Sequence, residues 1–76
     1  MRKAVKEAKA KVEDLAVKSG STAVEILPNV STGEVIQMFT FPTKAEAFEF
    51  RKMLDDKFSE FLTTSTCRCY VDACYK

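Results

Sequence analysis

The sequence predicts a small α+β domain with the order α-β-β-α-β, in which a three-stranded, mainly antiparallel sheet packs against its main helix. Two stretches carry apolar residues at helical spacing, and two others alternate as strands do. With 76 residues and only two glycines, the chain has the size of one domain, 1–76, with few loops. A sheet covered by a helix is the simplest arrangement that buries these apolar stripes.

The first helix is predicted over residues 2–18. Ala, Lys, Glu and Leu are strong helix formers, and Gly20 suits a C-terminal cap. Its apolar stripe is narrow and consists largely of small residues, so its first turns bury little. Two placements are open: the helix covers the second face of the sheet, or it lies beside the second helix. The stripe comprises Met1, Val5, Ala8, Val12, Leu15 and Ala16.

A hairpin is predicted over residues 22–41, with its turn at Thr32-Gly33. The register that collects the large apolar residues on one face pairs Ser31 with Glu34, Val30 with Val35, Ile26 with Phe39 and Val24 with Phe41. Pro28 has no N–H to donate, so its part of the first strand is expected to be unpaired on the other side.

The main helix is predicted over residues 43–62, and a final strand over 66–75. Thr43 and Glu46 have the spacing of a capping box. We expect the final strand to lie antiparallel beside the first strand, or else parallel beside the second. The stripe of the helix, which should lie across the Val/Phe face of the hairpin, comprises Ala47, Phe50, Leu54, Phe58, Phe61 and Leu62.

Three cysteines lie in the last ten residues, and strand alternation divides them. Cys67 and Cys69 are expected to point inward as small buried hydrophobes, whereas Cys74 shares the outward face. A metal site or a reactive thiol is the alternative, but zinc prefers four ligands and the chain offers three thiols and no histidine. The sequence therefore predicts no metal site and no cofactor.

Catalysis is poorly supported by the residue inventory. Without histidine there is no Ser-His-Asp or Cys-His pair. The adjacent carboxylates Asp55 and Asp56 point about 100° apart on a helix, so they cannot converge on one substrate atom. The chain is therefore predicted not to be an enzyme.

Nucleic-acid binding is the second hypothesis, because positive charge concentrates in the first helix. Residues 1–19 carry six basic and three acidic residues, and clustered cations neutralise phosphates. The bases are spread around the helix, which is equally typical of a solvated face. The candidate contacts are Arg2, Lys3, Lys6, Lys9 and Lys11.

Protein binding is the first hypothesis, because large apolar and aromatic residues lie on the second sheet face and beside it. Met, Tyr, Phe and Arg are enriched in protein interfaces. If the first helix does not cover this face, the patch marks an interface; if it does, the patch is core. Arg51 either reaches Asp55 from the edge of the core or anchors a partner. The candidate residues are Leu27, Ile36, Met38, Arg68, Tyr70, Phe48, Met53 and Arg51.

The expected function is therefore a non-catalytic adaptor, or an inhibitor that occludes a larger target, of the kind that viruses and mobile elements encode. A homodimer is also possible. The sequence contains neither a long apolar span nor an apolar N-terminal region, and its odd number of cysteines is typical of reducing compartments. We therefore expect a cytoplasmic protein that does not bind membranes.

Overall fold

The computed structural model describes residues 3–29 and 34–75 and confirms the α+β class. The chain runs through two consecutive helix–hairpin units. No helix in the described ranges is long and apolar enough to cross a membrane. The elements are α1 (Lys3–Lys18), β1 (Ala23–Asn29), β2 (Glu34–Thr40), α2 (Lys44–Phe58), β3 (Leu62–Cys67) and β4 (Tyr70–Tyr75).

Both helices end or begin where the sequence predicts a cap. After α1, Gly20 adopts φ +93°, a conformation that glycine tolerates best. Its N–H donates to the Val17 carbonyl at 3.2 Å and the Ser21 N–H to that of Ala16 at 3.0 Å, which closes the helix. At the start of α2, the Thr43 hydroxyl accepts the Glu46 N–H at 3.2 Å.

The sheet has four antiparallel strands in the order β1-β2-β4-β3, rather than the three that the sequence predicts. The two hairpins join through their second strands, so β4 pairs antiparallel with β2. Both predicted positions for the final strand are therefore wrong. The described strands β1 and β3 form the two edges of the sheet.

The missed strand is β3. The sequence predicts that α2 continues to Leu62, but the helix ends at Phe58. Leu62–Cys67 instead forms a strand that pairs with β4, and a two-residue turn at Arg68 and Cys69 connects the two strands. Arg68 adopts φ 54°, a left-handed conformation usually given to Gly or Asn. The turn therefore has no sequence signal.

The register of the first hairpin differs from the prediction by two residues. Val24 lies opposite Phe39, and Ile26 opposite Gln37. A shift of two keeps every side chain on its predicted face, so the apolar pattern cannot distinguish the two registers. The predicted turn at Thr32-Gly33 lies outside the described residues. The predicted pairs Ser31–Glu34 and Val30–Val35 are wrong, because Glu34 lies opposite Asn29 and Val35 opposite Pro28.

The core lies between one face of the sheet and both helices. Buried residues of α1, among them Val12 and Ala16, join Phe50 of α2 and Phe39 of β2 in one cluster. The Phe50 ring lies 5.2 Å from that of Phe39 and 5.0 Å from that of Phe41, centroid to centroid. The first helix therefore lies beside the second, on the same face of the sheet.

Candidate binding surfaces of the sheet

The face of the sheet away from the helices, here called the open face, is assembled by strand pairing. Paired residues share a face and successive residues alternate, so the registers of the four strands place three rows of side chains there. The rows are Ala23–Thr40–Tyr70–Cys67, Glu25–Met38–Asp72–Ser65 and Leu27–Ile36–Cys74–Thr63.

Apolar side chains occupy much of the open face. Leu27 and Tyr70 are 41% and 40% exposed, and Ile36 and Met38 are half-buried. A sheet face that is wholly solvated usually carries polar residues. Four of the eight residues predicted as partner contacts are thus brought onto one surface.

The charges on the open face are negative. Glu25 and Asp72 flank Met38 in the middle row. The Ser65 hydroxyl donates to Asp72 Oδ2 at 3.4 Å, while the buried Asp72 Oδ1 has no hydrogen-bond partner among the described residues. This face therefore repels phosphate and attracts cationic groups.

The remaining predicted contacts do not join this surface. Arg68 lies in the exposed turn beyond the Cys67–Tyr70 row. Phe48 is 54% exposed on α2, under the Lys52 Nζ at 5.9 Å from its ring centroid. Met53, also on α2, packs against the core. Phe48 and Met53 thus belong to the helix layer.

Arg51 bridges α2 and the edge strand β3. Its Nε lies 3.7 Å from Asp55 Oδ2, which is the predicted i, i+4 pair. It also donates from Nη1 to the Thr66 hydroxyl at 3.0 Å and from Nε to that of Thr64 at 3.4 Å. Thr64 in turn donates to Asp55 Oδ1 at 2.6 Å. The guanidinium therefore fastens β3 to the helix.

The opposite edge, β1, is left uncovered by the helices. Val24 and Ile26 lie on the helix-side face, where the sequence predicts core, yet they are 42% and 57% exposed. The main helix lies over β3 and β4 instead. An open hollow lies along one side of α1 and is lined by Lys6, Lys9, Ala10 and Glu13. We call the outward side of β1 at Val24 and Ile26 the β1 edge.

A buried polar chain crosses the core and was missed by sequence reasoning. Gln37 is fully buried; its Nε2 donates to Glu13 Oε1 at 2.6 Å, and its Oε1 accepts the Tyr75 hydroxyl at 2.5 Å. Burial, and secondarily the charge of Glu13, raises the pKa of Tyr75. These hydrogen bonds join residues of α1, β2 and β4 that are distant in sequence, so no local sequence pattern predicts them.

All three cysteines are thiols rather than disulfides. The prediction that Cys67 and Cys69 are buried is wrong: Cys67 is exposed on the open face and Cys69 is half-buried in the turn. The turn at Arg68 and Cys69 breaks the alternation on which that prediction depended. No group of three or more Cys, Asp or Glu in the described ranges could hold a metal ion.

The basic residues of α1 are divided between two sides of the helix. Lys6 and Lys9 border the hollow on one side, whereas Lys11 lines a groove with Lys57 and Phe58 of the second unit. Lys18 pairs with Asp14 at 3.0 Å. Lys3 is exposed, and Arg2 lies outside the described residues. The described cations therefore do not form a single continuous stripe.

Comparison of the chain with protein-family models, with curated proteins and with solved structures finds no match.

Proposed function

We propose that this chain is a non-catalytic protein-binding module that docks a larger partner against its open face, as an adaptor or as an occluding inhibitor. The observation that carries the proposal is the placement of both helices on the other face of the sheet. That placement leaves Leu27, Ile36, Met38 and Tyr70 together at the surface.

The composition of the open face supports this function. Tyr and Met are enriched at interfaces, where a few such residues carry most of the binding free energy. Apolar side chains gathered on one surface lower the free energy of association when a partner removes them from water. The carboxylates of Glu25 and Asp72 on the same face disfavour a nucleic-acid backbone.

The test measures the affinity of a partner for matched variants. A partner captured on the tagged chain is purified, and its dissociation constant is determined by calorimetry. Met38→Lys removes the apolar centre while placing a cation between Glu25 and Asp72, which preserves the sheet. We expect this change and Tyr70→Ala each to weaken binding at least about tenfold.

Phe48→Ala is the control, because this large apolar residue is also exposed, at 54%, but lies on the helix layer. It should leave the affinity unchanged. The proposal fails if Met38→Lys and Tyr70→Ala bind the partner as tightly as the parent chain.

Nucleic-acid binding is the competing outcome and is tested on the same protein. Association with DNA or RNA that weakens steeply with salt, and that is lost when Lys3, Lys6 and Lys9 are all changed to Glu, would replace protein docking as the function.

A further inference from the structure

We infer that the partner adds an extended segment to the β1 edge as a fifth, antiparallel strand, with an apolar–basic–apolar triplet opposite Ile26, Glu25 and Val24. The inference rests on the proposed protein-binding function and names the mode of attachment and the chemistry of the partner. Strand addition of this kind draws affinity from main-chain hydrogen bonds and specificity from alternate side chains.

The main-chain groups of the β1 edge follow from the ladder of the sheet. The Phe41 N–H donates to the Cys69 carbonyl at 2.9 Å. The main-chain N–H and C=O groups of Phe41, and of every second residue before it, therefore point toward β4. The main-chain N–H and C=O groups of the intervening residues of β2, which include Met38 and Ile36, therefore point toward β1. The hydrogen bond from the Thr22 N–H to the Thr40 carbonyl, at 2.8 Å, has this direction.

The residues of β1 opposite those positions, Glu25 and Leu27, point their N–H and C=O groups toward β2. Val24 and Ile26 consequently point theirs away from the sheet. Pro28 takes the same outward orientation, where a missing N–H disrupts no bond within the sheet. The β1 edge thus presents two donors and two acceptors to an incoming strand.

The side chains of the β1 edge are also suited to a partner. Val24 and Ile26 present β-branched apolar surface, which packs well against cross-strand neighbours. Soluble proteins usually protect an edge strand with charged side chains, proline or a covering element. On β1, Glu25 supplies a charge and Pro28 a missing donor, yet Val24 and Ile26 remain 42% and 57% exposed.

The negative charge of Glu25 favours a foreign strand over a second copy of this chain at the β1 edge. In the register that pairs Val24 with Ile26 of a second copy, Glu25 lies directly opposite its own counterpart, and like charges in that position are destabilising. A foreign strand with Lys or Arg at the central position pairs with Glu25 instead. We therefore assign the edge to a different protein rather than to a homodimer.

The probe is an end-capped peptide, Thr-Thr-Ile-Lys-Val-Thr-Thr, titrated into isotopically labelled protein and followed by amide NMR. We expect shifts centred on residues 23–27 and slower hydrogen exchange at Val24 and Ile26. A peptide with N-methylated Ile and Val keeps the side chains but loses the donors, and it should not bind. Equal binding of the two peptides, shifts confined to the open face, or no shifts at millimolar peptide would each overturn strand addition.

A charge exchange tests the register. Replacing the peptide's Lys with Glu should weaken binding about fivefold, and Glu25→Lys should reverse the preference between the two peptides. An unchanged preference contradicts the register. Ile26→Pro removes one outward donor at a position equivalent to that of Pro28 and should abolish binding while β1 stays paired with β2.

The two proposals fail separately. If the peptide does not bind the β1 edge but Met38→Lys still releases the partner, docking on the open face stands without strand addition. If the peptide binds and Met38→Lys has no effect on the partner, the open face is not the docking surface.

Discussion

The two helix–hairpin units of this chain complete their sheet edges in opposite ways. In the second unit, α2 extends Arg51 over β3, where it bonds the hydroxyls of Thr64 and Thr66. In the first unit, the corresponding helix-side residues of β1 are Val24 and Ile26, and they are largely exposed. One edge is polar and fastened to its helix; the other is apolar, and neither helix covers it within the described residues.

We expect this difference to separate the residues that stabilise the fold from those that bind a partner. The core residues Phe50 and Leu54 of α2 and Val71 of β4 belong to the second unit and are fully buried. The first unit leaves apolar side chains on both faces of its edge strand. We therefore expect substitutions in the second unit to affect folding, and those at the β1 edge to affect binding.

The most direct way to test this separation is a pair of identical substitutions. Val71→Thr introduces a hydroxyl at a fully buried position and should lower the free energy of unfolding by about 1–3 kcal/mol. Val24→Thr, on the same face but 42% exposed, should change it by less than about 0.5 kcal/mol. Urea unfolding measures both, and equal effects would contradict the contrast between the units.

The buried polar chain ties the two units together. Tyr75→Phe leaves Gln37 Oε1 without its donor and should cost about 1–2 kcal/mol. Because the pKa of Tyr75 is raised in the folded protein, its contribution is complete below pH about 10 and is lost at higher pH. Unfolding midpoints measured from pH 8 to 12 should show an alkaline decline that is smaller in Tyr75→Phe; identical pH profiles would argue against this role.

Arg51 tests the fastening of β3 to its helix. Arg51→Ala removes two side-chain hydrogen bonds and a half-exposed ion pair, so we expect a loss of about 1 kcal/mol. Hydrogen exchange should become faster in β3 but not in β1. Arg51→Lys, which keeps the charge but not the planar donors, should recover only part of the loss; full recovery would indicate that charge alone holds the edge.

The smallest effect is expected at the turn of the second hairpin. Arg68→Gly relieves a left-handed conformation and should raise the free energy of unfolding by about 0.5–1 kcal/mol. Thermal unfolding measures this gain. A loss of stability would mean that the Arg68 side chain contributes more than its backbone strain costs.

Much of the fold could be predicted from local pattern. The caps at Gly20 and Thr43 depend on neighbouring residues, and the unpaired outer side of β1 at Pro28 follows from the missing donor of that residue, although the predicted place of the final strand beside the first strand was wrong. The strand β3 could not be predicted, because its turn uses Arg68 where the usual signal is Gly or Asn. The burial of Gln37 depends on Glu13 and Tyr75, which are distant in sequence.

The candidate site was predictable only in part. Period-two alternation groups Ile36 with Met38 and separates Tyr70 from Val71, as the structure confirms. Whether that face is covered depends on the position of α1, and this is set by tertiary packing. The exposure of Val24 and Ile26 has the same origin, because the sequence marks them as core and only the placement of α2 over β3 and β4 uncovers them.

Amide hydrogen exchange along β1 tests the central claim most directly, first in the protein alone and then with its partner. We expect the N–H groups of Val24 and Ile26 to exchange quickly in the free protein, while those of Glu25 and Leu27, bonded to β2, exchange slowly. With the partner bound, all four should be slow. Slow exchange at Val24 and Ile26 in the monomeric free protein, or no protection of them by the partner, would contradict the account.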